Sequence, residues 1–465
     1  MSTIIDAIAT GLVDGGVKAA YGFPGFSSEK ILEKINPNYT ISTNERTAYA
    51  EAYGSSTAGS RSVVAFKNIG LNIASDAYLH SVISGVNAGL IVCITDDIEV
   101  WGSQEHQDSR PLIDYYGGLL FEPDSLQAAY DFSRGAFELS EDLDVPIVIR
   151  ITNQTLKLKG DFVKNETPIK ADFVPRTITP QKFVVHPYYY QQQSANLAKK
   201  KIAIQKYVDD NHAKHDDKRY PNGVIKFGLG NNVNQTHKDL DVLSVNTVPA
   251  PRHTIENFTR NHSEIIVSES GDGWLYDQIM RIMTPANHFM MQREPPEHTI
   301  EFTKWTRYQD LFKVINDIKG DSLIVGDITQ FTVESEGVVD VALSMGASVP
   351  VAIGIAQSKS FAIAIVGDCS FNHEGLQIVY EAINRGVNMC IIIIDNGVSW
   401  CTGAQVNAVP INQINFPDMA YFKKVAYDTG DIELLSEIKN ELQKCRKYEG
   451  VSIIHIKVPI GSLAR

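Results

Sequence analysis

Residues Ala364 to Gly403 read AIVGDCSFNHEGLQIVYEAINRGVNMCIIIIDNGVSWCTG, and this stretch decides the fold. An apolar run, Phe361 to Val366, stops at Gly367-Asp368. A helical pattern follows, with Leu376, Val379, Ile383 and Val387 three or four residues apart, and a second apolar run, Met389 to Ile394, stops at Asp395-Asn396. The spacing predicts a βαβ unit, whose chemistry lies at the carboxyl ends of its parallel strands, where a helix start presents free N–H groups to an anion. Both ends finish in a hard oxygen ligand, the carboxylate of Asp368 and the side-chain amide of Asn396, and the loop beyond can turn the carbonyl of Val398 to the same point. Such a set leaves room for water and two phosphate oxygens around magnesium, so the expected ligand is a magnesium diphosphate. Gly-Asp and Asp-Asn also end strands as plain turn residues, and spacing alone leaves that reading open.

Outward from this unit, the 465-residue chain has room for about three domains. With 43% apolar and 21% charged residues it is expected to be soluble and globular. A net charge of −13 argues against a nucleic-acid or acidic-membrane surface, and Lys199-Lys200-Lys201 is the one basic cluster. No apolar run reaches the roughly 18 residues that span a bilayer, and the start, MSTIIDAIATGL, reads as an amphipathic helix rather than a signal peptide, so a cytoplasmic location is expected. The five cysteines include no C-x-x-C pair, which indicates neither a disulfide framework nor a cysteine-ligated metal.

Residues 3 to 151 alternate helical patterns with the strand-like runs VKAAYGF, YTIST, SVVAFK, GLIVCIT and VPIVIRI, which predicts a parallel sheet covered on both faces. After the second run comes Thr43-Asn44-Glu45-Arg46 and a helix of small residues, TAYAEAYGSSTAGSR, able to approach another backbone closely. Glu45 at its start also has a plain reading, as an acid favoured by the helix dipole. Residues 156–222 read as a linker holding a polar helix near 188–209, packed on the surface rather than serving as a low-complexity binding segment. From Gly223 to Glu301, GVIKFGL, DVLSVNTV and EIIVSES predict a smaller α/β domain, and Gly228-Leu229-Gly230 lacks the rest of a dinucleotide fingerprint. Residues 302–465 contain the opening stretch, preceded by SLIVGD, by a loop with Phe331, Glu334 and Glu336, and by the small-residue helix SMGASVPVAIGIAQ; VSIIHI is expected to close the sheet.

Gly367-Asp368-Cys369 with Asp395-Asn396 resembles the motif of thiamine-diphosphate enzymes, which starts Gly-Asp-Gly and ends Asn-Asn; Cys369 and Asp395 depart from it, while both expected metal ligands stand. The order of the pieces resembles the alpha subunits of indolepyruvate ferredoxin oxidoreductases among the thiamine-diphosphate enzymes that cleave 2-oxo acids. The resemblance runs through Tyr21-Gly22-Phe23-Pro24-Gly25, Ser42-Thr43-Asn44-Glu45, Lys67-Asn68-Ile69-Gly70-Leu71-Asn72, Gln107-Asp108-Ser109-Arg110, Ser344-Met345-Gly346-Ala347-Ser348 and Thr402-Gly403. It implies an α/β thiamine-diphosphate-binding fold with a pyrimidine domain over 1–155, a middle domain over 223–301 and a diphosphate domain over 302–465. It also implies thiamine diphosphate and Mg2+ as cofactors, with Asp368, Asn396 and Val398 holding the metal, and Pro24, Gly25, Glu45, Lys67, Gly346, Gly367, Cys369 and Ser370 lining the cofactor.

By the same resemblance Glu45 hydrogen-bonds the aminopyrimidine and so activates the thiazolium carbon, whose adduct with a 2-oxo acid breaks down through an enamine. His373 is the leading histidine, for catalysis or a helix-start hydrogen bond; His80 and His106 rank below it, and Lys67 and Gln107 resemble lining positions. A homodimer or larger assembly is implied. The oxidoreductases also carry iron–sulfur clusters, which need grouped cysteines, and near the corresponding place this chain reads Arg293-Glu294-Pro295-Pro296-Glu297-His298-Thr299. Non-oxidative decarboxylation or carboligation is therefore expected first. An oxidoreductase subunit with a separate electron-transfer partner is the alternative, and a regulatory protein without turnover the third reading.

Overall fold

The computed structural model describes residues 1–465 except 26, 37, 99, 101–105, 168, 170–176, 230–238, 285–307, 330, 333–336, 400–404, 429 and 459–465. Glu334, Glu336, Gly230, the stretch 293–299 and Thr402-Gly403 lie outside the described residues.

Three larger sheets carry the described residues. The first has seven strands, in the order Thr247–Val248, Leu119–Phe121, Ile147–Thr152, Leu90–Asp96, Ser62–Lys67, Ala19–Gly22 and Thr40–Ile41. All pair in parallel except Thr247–Val248, which runs antiparallel to Leu119–Phe121. The five expected strands are present. Leu119–Phe121 was not anticipated because three residues are too few to show a period. Leu90–Asp96 is buried along its whole length, as a parallel strand covered on both faces must be.

The last sheet runs Ile324–Gly326, Ala362–Gly367, Met389–Asp395, Val451–Lys457, Tyr421–Ala426, parallel throughout. Its side chains divide by twos: Ala364, Val366, Ile391, Ile393 and Ile453 enter one core, and Ile363, Ile365, Ile392, Ile394 and Ile454 enter a second on the other face. One expectation is corrected here. Val451–Lys457 does not close the sheet, because Tyr421–Ala426 pairs along its outer side. That edge strand alternates partly buried and exposed residues, with Val425 alone fully buried, so its sequence, YFKKVA, lacks the apolar run that marks its neighbours.

Between these sheets lies a four-stranded one, ordered Glu264–Ser268, Asn222–Phe227, Asp241–Val245, Ala213–Asp216, with the last strand antiparallel. Ala213–Asp216 belongs to the stretch read as linker, and Thr247–Val248 to the stretch read as middle domain. The polar helix is Tyr190–Asn211. It packs on the first sheet's helices, with Lys200 Nζ donating to the carbonyls of Val82 (3.2 Å) and Ile83 (3.1 Å), while Gln193 caps the turn at 181–184.

The first and last sheets meet through two helices of small residues, Glu45–Thr57 and Ser348–Lys359. Their backbones nearly touch. A Cβ added to Gly54 would stand 2.1 Å from the carbonyl oxygen of Val351, and one on Gly354 would stand 1.9 Å from that of Glu51. Ser55 Oγ donates to the carbonyl of Gly354 at 3.0 Å, and the Tyr21 hydroxyl reaches Ser55 at 2.6 Å. This crossing sets how the start of Glu45–Thr57 faces the last sheet.

Candidate active site

Gly367 pairs with Ile394 in parallel register, so the next residues, Asp368 and Asp395, emerge side by side at the carboxyl edge of the last sheet. Both are buried. Asp368 Oδ2 accepts the N–H of Gly397 at 2.6 Å and Oδ1 that of Cys369 at 2.8 Å. Asn396 Oδ1 accepts the N–H of Val398 at 3.0 Å, which folds the loop back over the strand end. Asp368, Asn396 and Val398 lie around one turn, centred on Gly397 in a left-handed conformation (φ 79°).

The two carboxylates are unequal. Asp395 receives His455 Nε2 at 2.7 Å and Lys457 Nζ at 2.9 Å, and although burial opposes its ionisation these partners hold it well below the usual carboxylate range. Among the described residues Asp368 has no cation as partner. Burial, reinforced by the neighbouring Asp395, pushes its carboxyl up to about 7. A buried carboxylate close in the same turn to the buried side-chain amide of Asn396 offers hard oxygen donors of the kind magnesium takes. The departure of Asp395 from the resembled motif is explained as well, since His455 and Lys457 on the adjacent strand partner the carboxylate that stands there.

Gly346 and Asp327 complete this edge. Asp327, fully buried at the end of Ile324–Gly326, accepts the N–H groups of Gly346 (2.8 Å) and Ser348 (3.3 Å). Gly346 has φ 75°, and a Cβ there would stand 2.8 Å from the carbonyl of His373 and 2.9 Å from its Nδ1. Buried Ser370 lies beside Asp327. Sequence reasoning passed over Asp327, although Gly326-Asp327 ends an apolar run just as Gly367-Asp368 does.

Glu45 opens its helix, whose first turn is capped by Asn44 Oδ1 accepting the N–H of Thr47 at 2.8 Å. Its stem lies against Gly70, where a Cβ would come within 2.5 Å of Glu45 Cγ, and burial raises its carboxyl above the usual range. Lys67 heads the helix that holds Gly70, and Gly25 sits against Lys67 Cβ at a distance of 3.3 Å for an added Cβ. Pro24 is exposed beside them. Gln107 belongs to the same group, its Oε1 accepting from Asn72 at 3.0 Å.

The residues flanking Glu45 join these two sets within one chain. Arg46 Nη1 donates to His373 Nδ1 at 2.8 Å, Asn44 Nδ2 donates to Glu374 Oε2 at 3.3 Å, and the N–H of Thr43 donates to Glu381 at 2.9 Å. His373 therefore lies at the junction, between the short helix Asp368–Phe371 and the helix Gly375–Asn384. Arg46 was missed because an arginine in a first helical turn carries no distinguishing pattern. The other histidines fall elsewhere. His80 pairs with Asp76 on its own helix at 3.4 Å, and His106 is tied to the carbonyl of Ile98 and to Asp272. Gly228, from the incomplete dinucleotide pattern, instead seats its backbone against Glu122, within a buried ionic group of Arg150, Asp96 and Asp108.

Residues 327–456 match the family described as thiamine pyrophosphate enzyme, C-terminal TPP binding domain. Over nearly the whole chain the fold is that of solved thiamine-diphosphate enzymes. The Rhodococcus jostii RHA1 thiamine diphosphate-dependent 4-hydroxybenzoylformate decarboxylase superposes with TM-score 0.56 at 13% identity, over 98% of this chain and 99% of that one. The benzoylformate decarboxylase of Polynucleobacter necessarius gives 0.52 at 12% identity, over 99% of each. The chain thus has the α/β fold of thiamine-diphosphate enzymes. In sequence it resembles the indolepyruvate oxidoreductase subunit IorA. The Pyrococcus horikoshii subunit is 25% identical over 96% of this chain and 83% of its own length, and that of Methanothermobacter thermautotrophicus 22% over 98% and 85%. No described helix is long and apolar enough to cross a membrane.

Proposed function

We propose that this protein binds thiamine diphosphate with Mg2+ and decarboxylates a 2-oxo acid without net oxidation, releasing an aldehyde or joining the remaining fragment to a second carbonyl. The reading assigns 1–155 to the pyrimidine ring, 223–301 to a middle domain and 302–465 to the diphosphate. Asp368, Asn396 and the carbonyl of Val398 would hold the metal, with Gly346, Gly367, Cys369 and Ser370 around the diphosphate, and Pro24, Gly25 and Lys67 near Glu45. The observation that carries it is the pair of strand ends where Asp395 is hydrogen-bonded by His455 and Lys457 while Asp368 has no cation partner among the described residues.

Bound thiamine diphosphate supplies an electron sink for the bond between the carbonyl carbon and the carboxylate. The protein's part is positional and protonic. Glu45, poorly solvated against Gly70, retains its proton more readily than a free carboxylate and can share it with a ring nitrogen. Because a guanidinium can only donate, Nδ1 of His373 must accept from Arg46, which leaves the ring neutral with its proton on Nε2. His373 thus offers one N–H to a substrate oxygen. The interface of the two small-residue helices holds these groups on one rigid frame, and a homodimer is proposed as the assembled form.

A second reading has its own support, since the curated relatives cited above bear the name of an oxidoreductase subunit. In that case two electrons leave for an acceptor. The five cysteines of this chain form no closely spaced group, so the electrons would pass to a separate partner. The deciding experiment incubates the purified protein anaerobically with thiamine diphosphate, Mg2+ and a panel of 2-oxo acids. Carbon dioxide with an aldehyde or hydroxyketone in the absence of acceptor supports the non-oxidative reading. Release that requires coenzyme A and an artificial acceptor supports the second.

A further inference from the structure

Glu374 stands where the helix Gly375–Asn384 starts, yet it does not act as a helix cap. Its backbone is left-handed (φ 73°, ψ −2°), whereas a capping residue is extended, and its side chain makes no hydrogen bond to the N–H groups of that helix. For a residue with a Cβ and a long side chain this conformation is costly, and a glycine would adopt it freely. The helix dipole favours an acid anywhere in a first turn, so it does not account for one at the strained position. The folded chain holds Glu374 there against its own backbone preference.

Its carboxylate reaches across the junction between the first and last sheets instead. Oε2 accepts from Asn44 Nδ2 at 3.3 Å and lies 3.6 Å from Nη1 of Arg46. These two residues flank Glu45. Asn44 also caps the helix Glu45–Thr57 through its Oδ1, and Arg46 donates to His373 Nδ1. The Arg46 side chain is only 8% exposed, Nη2 has Ser344 Oγ at 3.4 Å, and Glu374 is its one ion-pair partner among the described residues. A guanidinium so buried needs a negative charge close by. Without Glu374 its hydrogen-bond partners there would be a neutral imidazole and a hydroxyl.

We propose that Glu374 is a positioning residue of the candidate active site: its left-handed backbone places one carboxylate on both neighbours of Glu45, which holds Arg46 on Nδ1 of His373 and fixes the start of the helix Glu45–Thr57 against the last sheet. This rests on the reading that Glu45 and His373 serve one cofactor. The Glu374 side chain is 33% exposed, so it can be altered without opening a core. The backbone conformation gives the proposal a distinctive consequence. Glu374→Gly removes the strain and the carboxylate together, so stability should hold or rise while activity falls.

The test compares the full chain as wild type, Glu374→Gly and Glu374→Gln. Thermal unfolding comes first, and Glu374→Gly should melt at or above the wild-type temperature. Nitrogen NMR of isotope-labelled histidine at about pH 8, with His373→Gln to assign the signal, then reads the tautomer without cofactor or substrate. His373 should carry its proton on Nε2 in the wild type and populate both tautomers in Glu374→Gly. With thiamine diphosphate, Mg2+ and a 2-oxo acid substrate, Glu374→Gly should lower kcat about tenfold or more while KM changes less than about threefold. Glu374→Gln keeps an acceptor for Asn44 and should recover part of that loss. An unchanged tautomer or an unchanged kcat in Glu374→Gly would overturn the proposal, and so would a loss that comes with a lower melting temperature and is not repaired by glutamine. Absence of turnover in the wild type would count against the proposed function instead, and the tautomer alone would then decide.

Discussion

Lowering the pH from about 8 to about 6 should weaken divalent-cation binding at Asp368 by about tenfold. The magnitude follows from the carboxyl, pushed up to about 7 by burial and by its neighbour Asp395. In the cation-free protein this group holds a proton that must leave before a metal enters. Affinity therefore rises with pH below about 7, approaching a factor of ten per unit, and flattens above it; the tenfold change corresponds to about 1.4 kcal/mol. Asp395 adds nothing in this window, because His455 and Lys457 keep it ionised throughout. The assay is electron paramagnetic resonance of free Mn2+ as an analogue of Mg2+, without thiamine diphosphate, whose own phosphate would titrate. Asp368→Asn is the reference, and it should bind more weakly and lose the pH dependence. A wild-type affinity independent of pH, or the same slope in Asp368→Asn, would refute the reasoning.

Other expectations follow from the same geometry. Glu45→Gln should leave cofactor affinity nearly intact and reduce turnover by about 100-fold or more, measured as carbon dioxide release; unaltered turnover would remove Glu45 from the mechanism. Gly354→Ala places a methyl 1.9 Å from the carbonyl oxygen of Glu51, so denaturant unfolding should show a loss of about 1–3 kcal/mol. If stability is unchanged, the helix crossing is looser than described. Arg150→Leu strips Asp96, Asp108 and Glu122 of their shared cation and should cost about 3–5 kcal/mol at neutral pH. Burial already raises the carboxyls of Asp96 and Glu122, so protonation should relieve part of that loss as the pH falls, and a loss constant with pH would count against the network.

Much of the frame was legible in the sequence because parallel strands buried on both faces leave unbroken apolar runs, as in Met389 to Ile394, and each ends at a residue with chemistry. Strands that are short or half exposed left no such trace. Leu119–Phe121 is too brief, Tyr421–Ala426 mixes lysines with its apolar side, and Ala213–Asp216 pairs through its backbone while most of its residues are exposed. At the candidate site, Asp368, Asn396 and Val398 could be grouped because they follow consecutive strands of one βαβ unit. The link from Arg46 to His373 spans 327 positions, and neither residue type announces it. Asp327 had the same local signature as Asp368, but its partners, Gly346 and Ser348, are reached only through the folded chain.

The central claim is that Glu45 and the Asp368–Asn396 turn act on one bound cofactor. The most direct measurement is hydrogen–deuterium exchange at the thiazolium carbon of thiamine diphosphate, followed by quenched-flow NMR with the wild-type protein and Mg2+, and with Glu45→Gln. The account predicts exchange accelerated by orders of magnitude over free cofactor in the wild type, and most of that acceleration lost in Glu45→Gln while the cofactor stays bound. Exchange at the free-cofactor rate in the wild type, or equal acceleration in both proteins, would contradict it.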